Sequence, residues 1–210
     1  MNTKYQHLML DFETADTAPT AAIFSIAAVL FNISTGKYDK DNIFYKVVDL
    51  NSCIENGLTV SGDTIYWWLQ QSDEARNSLL KNRIPLRDAV AHFNTFLLHN
   101  YPRIPKSKDS ELCIWGNSAR FDIGILSNIF KVMGVAPYWK YRNERDVRTL
   151  VSFRPEIKEK TEFKGIRHNP VDDCIHQIDY CSQIWREINV KSNVGNKIKK
   201  PATKKQKSQK

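Results

Sequence analysis

The sequence predicts an α/β fold: a mixed sheet that begins with three antiparallel strands, continues with parallel ones and is flanked by helices. Three observations carry this. Three β-type runs precede the first long helical pattern, a fourth short run returns to strand only after that helix, and the chain closes on a long amphipathic stripe. At 210 residues, with 41% hydrophobic and 11% aromatic side chains, there is material for one substantial domain with a sizeable core.

Taken in order, Gln6 to Phe12 reads as the first strand. Ala21 to Asn32 is a nearly continuous apolar run and reads as the second. Ser34-Thr35-Gly36-Lys37 turns the chain into Asn42 to Val48, the third strand of an antiparallel meander. Ser61 to Gln71 is a helix, and Ser72 to Arg76 opens a shorter one with acids in its first turn. From Leu86 to Leu98 the residues Leu86, Val90, Phe93, Phe96 and Leu97 repeat at helical spacing. Leu112 to Trp115 is again a strand, with Gly116-Asn117 as its exit into a second β-α-β half. The helix that starts near Ser118 buries Ile125, Ile129 and Val132 or Met133 and ends before Gly134. Asn169-Pro170 starts the last helix in the cap-then-proline manner, and Val171, Cys174, Ile175, Ile178, Cys181, Trp185 and Ile188 form its apolar face.

The net charge of +8 sits at one end. Eight lysines and no acid occupy residues 191–210, so residues 1–190 hold 23 bases against 23 acids. A nearly apolar-free tail cannot offset its ordering entropy, so the expected organisation is a folded domain over 1–190 and a disordered lysine-rich tail over 191–210. Such a tail can meet several phosphates of a strand at once. Deleting it is expected to weaken binding to long single strands and to lower the slope of log affinity against log salt by ~0.7 for each phosphate the lysines had neutralised. Equal salt slopes for full-length and truncated chains would leave the lysines with solubility alone.

No stretch approaches the ~18 to 20 uncharged apolar residues of a membrane span, and the N-terminus lacks the design of a signal peptide. A cytoplasmic protein without membrane partners is expected. Cys53, Cys113, Cys174 and Cys181 show no C-x-x-C spacing and stand among apolar neighbours. They read as small buried hydrophobes in a reducing compartment, which excludes a zinc or disulfide framework.

The chemistry concentrates in three segments. Asp11-Phe12-Glu13-Thr14 ends the first strand, and side chains two apart on a strand share a face, so Asp11 and Glu13 point the same way. Two like charges so close are tolerated mainly around a cation. Asn117-Ser118-Ala119-Arg120-Phe121-Asp122 adds a carboxylate in the first turn of a helix, and His168-Asn169-Pro170-Val171-Asp172-Asp173 adds a histidine and Asp173. A helix N-terminus attracts acids on its own account, which suffices for Asp172 and rivals a functional reading of Asp122 taken alone. Five competent residues on strand ends and helix starts, which can converge on one rim of a sheet, describe a two-metal phosphodiester site. Hydrolysis there needs a nucleophile at neutral pH, neutralised charge at phosphorus and a stabilised leaving oxygen, and two Mg²⁺ ions supply all three. Magnesium prefers oxygen donors, which suits carboxylates. A histidine with an ordinary pKa of ~6.5 can take the proton from the attacking water.

The order D-x-E, then N-S-x-R-F-D, then H-N-P-x-x-D resembles the DEDDh branch of the DnaQ-like 3′→5′ exonucleases. Thr64-Ile65-Tyr66-Trp67-Trp68, Gln71 to Arg76 and Arg142 to Thr149 further resemble the exonuclease A family of T-even-like bacteriophages and related bacterial exoribonucleases, over about residues 6 to 186. The resemblance implies a ribonuclease-H-like fold with a mixed five-stranded sheet. It implies Asp11, Glu13, Asp122 and Asp173 as metal ligands for two Mg²⁺ ions, with Mn²⁺ able to substitute, and His168 as general base. Asn169 stands where the tyrosine branch would carry tyrosine, and Pro170 replaces a common alanine without harm at a first helical position. The implied activity is 3′→5′ removal of mononucleotides from single-stranded nucleic acid, with DNA slightly favoured. Exoribonuclease action on RNA 3′ ends or short oligoribonucleotides is the alternative, as is a catalytically degenerate nucleic-acid-binding relative.

Thr14, Arg120 and Trp67 are the candidates for contact with the strand. Trp67 and Trp68 can stack bases, yet adjacent aromatics on a helix face apart, so at least one belongs to the core. His176 reads as a surface or satisfied histidine, His92 and His99 carry no partner signal, and Asp146 reads as an ion-paired structural residue, with a secondary site residue as the alternative. The expected partners are single-stranded DNA or RNA, with a homodimer left open.

Overall fold

The computed structural model describes residues 5–100 and 112–196. Its sheet has the strand order β3-β2-β1-β4-β5. β1 (His7–Thr14), β2 (Ile23–Phe31) and β3 (Tyr38–Val47) form the antiparallel meander, while β4 (Cys113–Gly116) and β5 (Glu144–Asp146) run parallel to β1 on its other side. β1 is therefore central, and the alternation of its side chains decides where everything else sits.

Leu8, Leu10 and Phe12 point into one core with Ile26, Ala28 and Leu30 of β2. That core is covered by α1 (Leu50–Glu55), α4 (Leu86–Asn100) and α5 (Gly124–Met133), through residues such as Cys53, Phe93, Leu97, Ile125 and Ile129. Met9 points to the opposite core with Ala27, Val29, Phe31 and Trp115. This second face is covered by α6 (Val147–Val151), α7 (Pro155–Lys160) and α8 (Pro170–Asn196), whose Cys174, Ile178, Cys181 and Ile184 are fully buried. Each such isoleucine contributes ~1.5 to 3 kcal/mol through its burial. Asp11 and Glu13 continue the Met9 face, so they emerge beneath α8. α2 (Gly62–Leu69) and α3 (Asp73–Ser78) make a small separate cluster through Trp68, Ala75 and Leu79, packed on Phe24.

Departures from the sequence expectations have local causes. β3 starts at Tyr38 rather than Asn42, because pairing of Phe31 with Tyr38 carries the ladder through polar residues with no strand signal. The fifth strand, Glu-Arg-Asp, has no apolar alternation and exists only by pairing with Ile114, Trp115 and Gly116. α8 continues to Asn196, beyond the expected domain boundary at 190; residues 197–210 of the expected tail lie outside the described residues. Cys53, Cys174 and Cys181 are free and buried, and Cys113 is half-buried. Among the described residues no helix is long and apolar enough to cross a membrane.

Candidate active site

The site is assembled where β1 ends. Pairing of β1 with β2 slips between Glu13 and Thr14, which closes the ladder and turns the chain away. The Thr14 hydroxyl donates to the Asp16 carbonyl at 2.7 Å, and the buried Trp68 indole donates to the Thr14 carbonyl at 2.8 Å. That second bond ties α2 to the strand end and leaves the neighbouring Trp67 43% exposed beside it.

Asp122 arrives from β4, next to β1. Its residues Ala119–Ile123 form a single π-helical turn, a feature frequent at functional sites, and α5 follows directly. A side chain at Gly116 is excluded: a Cβ there would stand 2.8 Å from the Asp122 Cβ and 2.9 Å from its Oδ2. Asp122 thus lies folded over the end of β4, 2% exposed, and accepts the Ser118 N–H at 3.2 Å. Asp146 secures the same turn. It accepts the Ala119 N–H and the Thr149 N–H, each at 2.7 Å, and so ties the π-helical turn to the start of α6.

Asp173 comes from the first turn of α8. Asn169 caps that helix, its Oδ1 accepting the Val171 N–H at 3.0 Å, in agreement with the cap-then-proline reading. The Oδ2 of Asp173 accepts the His168 N–H at 3.0 Å, and His168 adopts a left-handed backbone with φ of 63°. Ligand atoms of Glu13, His168 and Asp173 all lie within 4.8 Å of one another. Asp11 completes the group, one of its oxygens accepting from Gln177 of α8 at 3.0 Å.

The electrostatics of this cluster are those of crowded, buried acids. Burial, then the charges of Asp122, Glu13 and Asp173, push the Asp11 carboxyl well above the usual range. Burial, Asp173 and Asp122 do the same to Glu13. Burial lifts Asp122 to about 7 in spite of backbone N–H groups of Ser118, Asn117 and Phe12 that favour its anion. Asp173 is lifted to about 6, again by burial first, with the His168 N–H opposing. The donor set fits a hard divalent cation: mutually repelling carboxylate oxygens, with the nearby Cys174 thiol held protonated by burial and by the acids themselves. Two buried atoms without hydrogen-bond partners flank the acids and suit the same reading, Ser25 Oγ, which is in register with Glu13, and Gln177 Oε1.

His168 has the surroundings of a neutral imidazole. Burial, aided by Arg167, holds its pKa below the ordinary histidine value. Its ring stands edge to face against Trp67, centroids 5.0 Å apart and 84° between planes, and 6.2 Å from Trp68. His176 is placed elsewhere, its ring against Phe163 and Tyr180 at 4.9 and 5.1 Å. Half-buried there, it keeps its Nδ1 without a hydrogen-bond partner among the described residues. Arg120 is exposed on the π-helical turn, and Thr14 is 7% exposed with its hydroxyl engaged to Asp16.

Ser25 and Gln177 join the site without being singled out by the sequence. Gln177 follows Asp173 by one helical turn, and that spacing is the signal that could have found it. Ser25 has no such signal, because its place depends on the β1–β2 register.

The comparisons with known proteins agree with this geometry. A family model described as the 3′-5′ exoribonuclease Rv2179c-like domain matches residues 6–185. The exodeoxyribonuclease of Enterobacteria phage T4 is 25% identical over an alignment of 198 positions, with 81% of this chain and 85% of that protein covered. Among solved structures, the nuclease domain of 3′hExo, a DEDDh family member bound to rAMP, is similar with a TM-score of 0.59 at 13% identity, over 89% of this chain and 95% of its own. S. pombe Pop2p in its Mg²⁺- and Mn²⁺-bound form gives 0.55 at 11% identity, over 91% and 85%. E. coli ExoI in the zinc-bound form of its ssDNA complex gives 0.54 at 18% identity, over 89% and 41%. These likenesses carry the ribonuclease-H-like fold, and the family match over most of the chain carries the class: the chain belongs to the 3′-5′ exoribonuclease Rv2179c-like domain family.

Proposed function

We propose that this 3′→5′ exonuclease removes mononucleotides from single-stranded DNA by hydrolysis, with Asp11, Glu13, Asp122 and Asp173 holding two Mg²⁺ ions and His168 as general base. The observation that carries the proposal is the convergence of Asp11, Glu13, Asp122 and Asp173 at the end of β1, with His168 at their edge and ligand atoms of Glu13, His168 and Asp173 within 4.8 Å of one another. When bound, the cations would neutralise phosphate charge and lower the pKa of the attacking water. Mn²⁺ offers the same oxygen-seeking chemistry.

The remaining work falls to the chain's own residues. A hollow of about 480 Å³ beside Glu13 is walled by Phe12, Thr14, Trp67, Trp68 and Phe121, and it supports a seat for the 3′-terminal nucleotide. The exposed ring of Trp67 offers a stacking face, worth ~1 to 3 kcal/mol per base. Arg120, on the same turn as Asp122, is exposed and can approach a phosphate. His168, neutral at physiological pH, accepts the proton of the attacking water and carries it away from the phosphate.

A second reading, RNA as the substrate, is favoured by the description of the matching family as an exoribonuclease. One experiment tests both. The protein is incubated with 5′-labelled single-stranded DNA, single-stranded RNA and blunt duplex DNA, in Mg²⁺, Mn²⁺ or EDTA. A ladder shortening from the 3′ end, present with either cation and abolished by EDTA, is the expected result. Faster laddering of RNA decides for the second reading. Activity that persists in EDTA, or label lost first from the 5′ end, overturns the proposal.

A further inference from the structure

We propose that Asp172, together with Gly165, is a clasp that positions His168; this rests on the reading of His168 as the base. In sequence Asp172 looks like an ordinary acid at a helix start, but the structure gives its carboxylate a specific task. Its Oδ2 accepts the Ile166 N–H at 2.8 Å, from the loop that carries His168. The loop backbone lies directly on that carboxylate. A Cβ at Gly165 would stand 2.4 Å from the Asp172 Cγ and 2.5 Å from Oδ2, and Gly165 also has a φ of +106°, which side chains other than hydrogen rarely adopt.

The consequence for His168 is geometric. Its left-handed φ of 63° costs on the order of 1 kcal/mol or more and persists only when neighbours determine it on both sides. On one side its own N–H is held by Asp173 and Asn169 caps α8. On the other, the Asp172 bond to Ile166 and the close seat of Gly165 fix the chain two and three residues earlier. The two adjacent aspartates of α8 thus divide the work, Asp173 facing Glu13 and His168 and Asp172 anchoring the loop that brings His168 there. Asp172 touches none of the reacting atoms, so it is a positioning residue.

The test is a double-mutant cycle on nuclease rate combined with NMR of the imidazoles. Asp172→Ala is expected to lower kcat by ~10- to 100-fold with little change in KM, as for other residues that orient a catalytic group. Asp172→Asn, which keeps an acceptor oxygen, should restore most of the rate, and Gly165→Ala should reproduce the loss from the loop side. Because Asp172 acts through His168, adding Asp172→Ala to His168→Ala should slow the enzyme no further. In the metal-free wild type the His168 imidazole resonances, identified by their loss in His168→Ala, should bear the ring-current shift of Trp67 and move toward the position of a free imidazole in Asp172→Ala and Gly165→Ala. The NMR arm holds whether or not the protein degrades nucleic acid, so an inactive wild type would sink the proposed function without touching the clasp. Unmoved His168 resonances in a folded Asp172→Ala protein, or a rate loss that multiplies with that of His168→Ala, would overturn it.

Discussion

Asp122→Asn is expected to abolish turnover, by at least ~10³-fold, the equivalent of several kcal/mol of lost charge stabilisation, while leaving the fold intact. The substitution keeps the volume that lies over Gly116 and removes only charge, so no packing is lost. Asp11→Asn should behave alike, since its neighbours in the site are the Gln177 amide and the other acids. The metal-free stability of these variants runs in the opposite direction to their activity. A carboxyl raised to about 7 in the folded state, against an ordinary value of 3.8, stabilises the fold less and less as pH rises: its contribution is fullest below the lower value and gone above the higher one. In EDTA the wild-type melting temperature should therefore fall between pH 5 and pH 8, and Asp122→Asn should fall less and stand at or above wild type at pH 8. Mg²⁺ should raise the wild-type value at pH 8 through binding to the folded state alone and raise that of the variant less. A folded Asp122→Asn protein with near wild-type turnover would remove the cation-cradle reading; a wild-type melting temperature that climbs with pH in EDTA would remove the electrostatic account.

What can be read from the chain and what cannot divides along a physical line. Asp11 and Glu13 are legible because a strand has period two and leaves both on the face opposite Leu10 and Phe12. Asp173 is legible because Asn169-Pro170 marks a helix start that points it off the apolar stripe. That one of Trp67 and Trp68 is core follows from the angular step between neighbours on a helix, and that it is Trp68 depends on what α2 packs against. The fifth strand is implied by the family resemblance but has no local signature, since three polar residues become a strand only by pairing with β4. The same applies to Asp172, whose role depends on a loop returning over it, and to Ser25, whose place depends on register. The backbone donors of Asp146 are not legible, because a capping carboxylate and an ion-paired one look the same between two arginines.

The geometry around His168 leads to the second large effect. His168→Ala should lower kcat by ~10²- to 10⁴-fold, the range of lost general-base catalysis, with KM little changed. The KM expectation follows from the proposed seat for the nucleotide: Trp67, Phe121 and Glu13 line that hollow, while the imidazole stands edge to face against Trp67. The pH profile separates a base from a merely structural ring. With His168 held below the ordinary histidine value, its neutral form prevails at pH 7, and the wild-type rate should fall as acid protonates it. At saturating Mg²⁺ the carboxylates stay ionised, so this limb belongs to the histidine and should flatten in His168→Ala. His176→Ala provides the contrast, since that ring is enclosed by Phe163 and Tyr180, away from the tryptophans that flank His168. A loss of this size in His176→Ala with His168→Ala near wild type would move the base to the other histidine, and a His168→Ala profile that keeps the full low-pH limb would remove histidine from the proton transfer.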